Sequence, residues 1–447
     1  NVANCPRARR GRKTMPDTGI ATVMLLGGFA LLLLLKVPIT FSLALSSILT
    51  AAYLDIPMLA IVQRMIQGTR VFSLLAIPFF ILAGEIMSKG GISQRLIMFS
   101  NLIVGRMRGG LAQVNVLASM FFGGISGSAV ADVSSIGTIM VPIMKKKGYD
   151  ADYSVAVTVS SACQGIIIPP SHNVIIYSLA AGGVSVGRLF LGGFVPGVML
   201  GIALMVISFA IAVRKGYPKE EKFTLKEALT TTKDALLGLL TAVIIIGGVL
   251  SGVFTATESA AIATIYAFVV TFFVYREIPL KAFWGILRSS LHTLAIVMSL
   301  IAAAAAFGWL LAYLQVPAKA TQALLTISQN RVVLLLLINA LLLILGMIMD
   351  MAPLILITTP ILFPVVVTEL GMSPIQFGIV MMLNLGIGLC TPPVGSALFV
   401  GCAVGKTSIE ETSKALVPFY VTMVVVLLLV TFIPDIVMFV PDRFMGQ

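Results

Sequence analysis

The chain has 447 residues, 58% hydrophobic and 11% charged, and its mean hydropathy is +1.06. Soluble domains carry roughly a quarter charged residues, so this composition excludes an ordinary soluble domain and indicates a polytopic membrane protein. The formal net charge of +12 does not point to nucleic acid, because the Lys and Arg residues lie between apolar segments, where they orient helices, and no basic–aromatic stacking surface accompanies them.

In chain order, residues 1–17 form a basic tail. The chain starts at Asn1, and "RARRGRK" precedes Met15, which admits a translated leader, a linker from a fused protein, or a native tail. No cleavable signal peptide is evident. Apolar runs then predict crossings near 18–35, 38–58, 72–88, 152–183, 186–213, 235–253, 257–275, 289–312, 373–404 and 415–438. Two segments between them differ. In 110–145 the leading arm before "GGISGSAVAD" has about 13 residues, a reach of ~20 Å against a hydrocarbon core of ~30 Å, so it reads as a re-entrant hairpin. Segment 331–369 reads as a hairpin or as two full spans. "SQRLIMFSNLIVGRMRGG" and "PLKAFWGILRSS" read as amphipathic arms along the interface.

The sequence repeats itself. Pro169-Pro170 and Pro392-Pro393 are 223 positions apart, as are Gly148 and Gly371, and Ser185 and Ser408. Asp132 to Pro142 parallels Asp350 to Pro360, both Asp-x9-Pro. The expected organisation is a first repeat at 18–213, with hairpin 110–145 and broken helix 152–183. A linker at 214–234 leads to a second repeat at 235–441, with hairpin 331–369 and broken helix 373–404. Placing residue 15 outside puts 19 Lys and Arg inside and 6 outside, with the other five in the tail, so the N-terminus is expected outside. Five crossings separate the hairpins, an odd number, so the repeats are expected to be inverted. Inverted repeats with discontinuous helices are the pattern of secondary transporters.

The two breaks, "CQGIIIPPSHNV" and "GLCTPPVGS", carry the chemistry. Backbone polar groups left free by a break in hydrocarbon are tolerated where they line a polar site, and there they bind ions and anions. The first tip offers Ser126, Ser128, Asp132, Ser134 and Ser135. Hydroxyl and carbonyl oxygens suit a hard monovalent cation, and the carboxylate balances charge; close helix packing by small residues is the other reading. The break from Gly165 to Asn173 adds Pro169, Ser171 and Asn173, or is a plain proline kink capped by Ser171. His172 reads as a polar cap, since the second copy has Gly395 there. Asp350 is an ionisable residue at membrane depth, or caps a hairpin turn at the surface. Glu85 is expected near a membrane end or helix interface, and Glu258 is a further carboxylate in apolar sequence. The cysteines (Cys5, Cys163, Cys390, Cys402) have no metal or disulfide spacing, and no P-loop lysine motif is present.

"FSLLAIPFFILAGEIMSKGG", "GGISGSAVAD", "IIIPPS" and "GVSVGRLFLGGFVPG" together resemble the large membrane subunit (DctM-like) of the tripartite ATP-independent periplasmic (TRAP) transporters, from about Met15 onward. The resemblance implies a sodium-driven importer of organic acids in the bacterial inner membrane. It implies no cofactor beyond the coupling ion, and two partners: a periplasmic substrate-binding protein and a small four-helix membrane subunit, sometimes fused ahead of the large one. The implied fold is that of the ion-transporter superfamily, an all-α elevator in which two hairpins and two broken helices slide against a scaffold. One implied sodium site uses Ser126, Ser128, Gly165 and Pro169, with Asn173 close by. The other uses Asp350, Met351 and Ala352 with Gly386, Thr391 and Pro393. Substrate carboxylate is implied between the tips, with Ser126, Ser128, Ser171, Asn173 and Thr391 in reach. The second tip lacks the serines of the first, and no basic residue is an evident midplane partner for a carboxylate.

Two alternatives stay open. One is a stand-alone carboxylate or inorganic-anion carrier of the same broad fold. The other is an intramembrane serine hydrolase, since "GISG" at 124–127 matches the GxSG pattern of rhomboid proteases; its only available bases are His172 and His292.

Overall fold

The computed structural model describes residues 17–220 and 224–446, and these contain helices and connections but no strand. The basic tail and Cys5 lie outside the described residues.

The chain opens with α1 (Thr18–Leu34), α2 (Ile39–Tyr53) and α3 (Met58–Thr69). Asp17 caps α1 by accepting the Gly19 N–H at 2.7 Å, and Pro38 and Pro57 hold the chain extended just before α2 and α3. A 3₁₀ turn at Phe72–Leu75 runs into α4 (Ala76–Lys89), followed by α5 (Ile92–Val104). Next come α6 (Gly110–Ser126) and α7 (Ala129–Lys146), joined only by Gly127 and Ser128. Gly127 has φ +61°, a left-handed conformation that a side chain would disfavour, and Ser128 caps α7 by accepting the Ala131 N–H at 3.4 Å. The first broken helix is α8 (Ala151–Ile167) and α9 (His172–Ala180), bent by 51° at Pro169-Pro170.

The long helices α10 (Val186–Lys215), α11 (Leu225–Leu250), α12 (Ala256–Val269, continued to Tyr275 as a π-helix) and α13 (Ala282–Tyr313) follow. A short α14 (Val316–Ile327) leads to the second closely joined pair, α15 (Arg331–Ile348) and α16 (Met351–Phe363), and a π-helical turn extends α16 to Glu369. The second broken helix is α17 (Pro374–Leu389) and α18 (Ser396–Gly405), and α19 (Ile409–Phe432) and α20 (Asp435–Met445) complete the described chain. Capping boxes start α11 (Thr224/Glu227), α12 (Thr255/Glu258) and α19 (Ser408/Glu411). Glu258 is thereby explained: it satisfies backbone donors at a helix start.

Eight of the described helices are long and apolar enough to cross a membrane, and the bent α8–α9 pair adds a ninth. Leu34, Val206, Ile265 and Val421 are among many large apolar side chains that face outward, as lipid contact requires. The 279–290 stretch does not form a separate arm. Residues 282–290 are the first turns of the 32-residue α13, because no proline interrupts the helix before Pro317. The other expected arm is α5, whose Ile92, Leu96, Ile97, Ser100 and Val104 are buried where it packs on α6 and α11.

α8 and α17 occupy the centre. Every residue from Tyr153 to Ile167 and from Ile375 to Leu389 is buried, the mark of a helix enclosed on all sides. Around them pack α6, α7, α10, α15, α16, α18 and α19, while α1–α5 and α11–α13 form a second group that meets the first chiefly through α4, α5 and α13. Where α8 crosses α17, the Cys163 thiol donates to Gly386 O at 2.9 Å and lies 2.8 Å from Cys390 Sγ.

The same contacts recur at an offset of 223. A Cβ on Gly123 would meet the Gly165 Cα at 2.1 Å, and a Cβ on Gly388 would meet the Gly346 Cα at 2.6 Å. The Tyr153 hydroxyl donates to Ser208 O at 3.0 Å, and the Gln376 amide donates to Thr431 O at 3.0 Å. The spacing found in sequence is thus also a spacing of packing contacts.

Candidate functional site

The two helix-pair tips and the first break converge on one cavity of about 550 Å³. Ser126, Ser128 and Ala129 come from the first tip, Asp350, Met351 and Ala352 from the second, and His172 and Asn173 from the start of α9. The opposite wall is one face of α4. Ile81, Gly84, Glu85, Ser88 and Lys89 follow the 3–4 spacing that places side chains in a single stripe, and Thr293, Ile296 and Val297 of α13 extend it. The cavity therefore separates the tips from the second group of helices.

The first tip rests directly on the break. A Cβ at Gly124 would stand 3.0 Å from Pro169 O, so only glycine lets the tip approach that carbonyl without displacing it. Asn173 donates its amide to Gly127 O at 3.3 Å, tying α9 to the turn. Ser128 N–H donates to Ser126 Oγ at 3.4 Å, which keeps the hydroxyls of the tip together.

Several buried acceptors here have no donor. The Ser171 hydroxyl makes no capping bond to α9 and has no partner. Both carboxylate oxygens of Asp132, one turn beyond Ser128 and facing Ser119, lack a partner as well. At the second break the buried Ser396 hydroxyl is equally unpartnered; its equivalent at the 223 offset is Asn173. Unpaired buried polar atoms are costly, and oxygens of this kind suit a cation. Asp350 holds the N-cap position of α16, makes no side-chain capping bond, and lines the cavity.

The sequence-derived residues separate into three groups. Ser126, Ser128, Asn173, Asp350, Met351 and Ala352 share the cavity. Asp132, Gly165, Pro169, Ser171 and Gly386 are buried behind it in the packing of the tips and breaks. Thr391 instead borders a shallow depression with Pro392 and Tyr420; its hydroxyl bonds its own helix at Ile387 O (2.7 Å), and Pro393 beside it is exposed. Ser396 and Lys89 stand outside the sequence-derived set. Ser396 was legible as the residue aligned with Asn173, and Lys89 only through the stripe it shares with Glu85.

Glu85 lies at the helix interface, paired with Lys89 (3.0 Å) and accepting from the Ser289 hydroxyl (3.4 Å). The Ser88 and Ser135 hydroxyls, 2.7 Å apart, bond α4 to α7 across the cavity wall. The hydrolase constellation does not form. The hydrogen bond that Ser126 Oγ accepts comes from Ser128, and among the described residues neither His172 nor His292 bonds to it.

Comparison with known proteins supplies the family. The model of the DctM component of the tripartite ATP-independent periplasmic transporters matches residues 26–436. The protein YgiK of Salmonella typhimurium is 44% identical over 94% of this chain and 97% of its own. The sialic acid TRAP transporter large permease protein SiaM of Vibrio cholerae is 40% identical, covering 86% of this chain and 90% of its own. For the C4-dicarboxylate TRAP transporter large permease protein DctM of Rhodobacter capsulatus the figures are 35%, 95% and 99%. Among solved structures, the YdaH transporter of Alcanivorax borkumensis shares the fold, with TM-score 0.64 at 15% identity over 92% of this chain and 97% of that one. SiaM and DctM are named as permeases rather than enzymes, and this chain belongs to the DctM family, the large permease component of the tripartite ATP-independent periplasmic transporters.

Proposed function

We propose that this permease imports an organic acid into the bacterial cytoplasm, driven by sodium, by an elevator movement of the tips and broken helices against the α1–α5 and α11–α13 scaffold. The observation that carries the reading is the cavity in which both tips and the first break face α4 and α13. The meeting of both tips in one cavity supports hairpins that enter the membrane from opposite sides, and five crossings between them would invert one repeat relative to the other.

Sodium would be held where each tip meets its break. At the first, Ser126, Ser128, the carbonyls freed at Pro169, and Asn173 would supply oxygens, with Asp132 close behind; at the second, Asp350 to Ala352, Gly386 and the turn through Thr391 and Pro393 would do so, that turn being tied to the second hairpin by the Val394 N–H donating to Met347 O at 3.0 Å. Substrate carboxylate would lie between the tips, facing Ser126, Ser128, Asn173 and the N-termini of α7, α9 and α16. Each sodium crossing the membrane is worth ~2.3 kcal/mol per 100 mV, enough for two ions to concentrate a monoanion. The N-terminus is outside and the Lys89 end of the cavity faces the cytoplasm, as the distribution of basic residues favours.

Relatives named for sialic acid and C4-dicarboxylates support the organic-acid class, and membership of the tripartite family supports a small membrane subunit and a periplasmic binding protein as partners. The test is uptake of radiolabelled sialic acid and succinate into proteoliposomes holding the permease and small subunit, with and without sodium and binding protein. Uptake that requires both supports the reading. Sodium-driven uptake without the binding protein would replace it with a stand-alone carrier.

A further inference from the structure

We infer that Lys89 is a carboxylate subsite at the mouth of the cavity, held closed by Glu85 and opened when the substrate's carboxylate displaces it. The inference rests on the transport reading above and adds a residue that the tips lack. An anionic substrate must pass a cavity that already contains the carboxylates of Glu85 and Asp350, and among the described residues Lys89 is the one Lys or Arg that lines it.

The geometry fits an exchange of partners. Lys89 and Glu85 are one helical turn apart on the stripe of α4 that faces the cavity, with Nζ and Oε2 at 3.0 Å. Both line the cavity and are partly exposed, 47% and 29%, so the ammonium can turn toward a ligand without leaving water. Glu85 keeps a second partner when Lys89 leaves, because the Ser289 hydroxyl on α13 already donates to its other oxygen. The exchange swaps one ammonium–carboxylate pair for another, so neither state leaves a buried charge uncompensated. The backbone of α4 is meanwhile held in register with the first hairpin by the Ser88–Ser135 hydroxyl pair, one residue from Lys89. A carboxylate leaving the tips along the α4 stripe thus meets Ser135 and Ser88 and then the ammonium.

An ion pair with only a structural role and a pair that gates a carboxylate predict different signs. The experiment uses the permease with its small subunit and binding protein in proteoliposomes under an inward sodium gradient, measuring apparent KM and maximal rate for whichever of sialic acid and succinate the wild type carries. Lys89→Met is expected to raise KM about tenfold, the value of one charge-assisted contact, with the maximal rate within about twofold. Lys89→Arg is expected to restore most of that loss. Glu85→Gln, which frees the ammonium, is expected to lower KM. If Lys89→Met and Glu85→Gln both raise KM, or if Lys89→Met leaves it unchanged, the subsite is overturned while the transport reading stands. Wild type that carries neither acid overturns that reading and this inference together.

Discussion

The Cα atoms of Gly123 and Gly165 face each other so closely that a Cβ on Gly123 would come within 2.1 Å of the Gly165 Cα. Backbone on backbone, with no side chain between, is how the first hairpin is fixed to the first broken helix. The second hairpin repeats it with Gly346 and Gly388.

Gly123→Ala and Gly388→Ala should each therefore destabilise the permease by about 1–3 kcal/mol, the usual cost of overpacking, since neither backbone can withdraw as a flexible side chain would. Gly247→Ala is the control, because a Cβ there meets nothing within 4 Å, and in a helix it should be neutral or slightly stabilising. Thermal unfolding in detergent checks both; equal melting temperatures for all three variants would contradict the packing account.

Loss of hydroxyl or amide oxygens at the first tip should weaken sodium before it weakens folding. Ser126→Ala, whose hydroxyl accepts only one weak bond at 3.4 Å, is expected to raise the sodium concentration for half-maximal uptake about tenfold, with melting little changed. Ser128→Ala should show the same sodium defect plus about 1 kcal/mol of instability from the lost cap. Sodium titration of uptake, run beside the melts, separates the two effects.

If the hairpins move against α4, the Ser88–Ser135 contact must break in every cycle. A double Ser88→Cys, Ser135→Cys variant, at positions whose oxygens are 2.7 Å apart, is within reach of disulfide geometry. Oxidised, it should lose uptake, and a reductant should restore it. Full activity of the crosslinked protein would argue against relative movement at this contact.

Outside the membrane, Lys215 and then Tyr217 donate to the Asp150 carboxylate at 2.5 and 2.9 Å and hold its pKa below the ordinary value. A carboxylate lowered on folding stabilises above its unfolded pKa of roughly 4, and that contribution fades as pH falls below it. The pair is half-exposed, so Asp150→Asn should cost well under about 1 kcal/mol at neutral pH, with the gap closing below about pH 4. Melting temperatures across that range test the sign.

Much of this was readable from residue types and spacing. The Pro-Pro pairs, the offset of 223 and the paired Asp-x9-Pro segments marked the two copies, because breaks and tips require particular residues at fixed places. Lys89 was not legible as a cavity residue. It sits among basic residues near a helix end, and only the packing of α4 against α6 and α13 turns that stripe toward the tips. Thr391 looked equivalent to the first break, but its hydroxyl bonds Ile387 O of its own helix and it borders a different depression, with Pro393 and Val394 exposed beside it. Glu258 stood out as a carboxylate in apolar sequence, yet Thr255 three residues earlier was the signal that it caps a helix. The expected arm at 279–290 failed for a related reason: its amphipathic pattern continues without interruption into α13.

The enclosure of α8 also bears on how the chain is made. During synthesis α8 meets α6 and α7 at once, but the residue that Cys163 touches, Gly386, emerges 223 positions later. Until then this helix must wait in the bilayer with a polar face uncovered. Its serine and threonine hydroxyls are already satisfied within its own backbone: Ser154 bonds Asp150 O, Thr158 bonds Ser154 O, Ser160 bonds Ala156 O and Ser161 bonds Val157 O, while Gln164 reaches back to Val116 O on α6. A half-built permease thus leaves few bare donors in lipid, and the first copy can be inserted and held before the second exists to cover it.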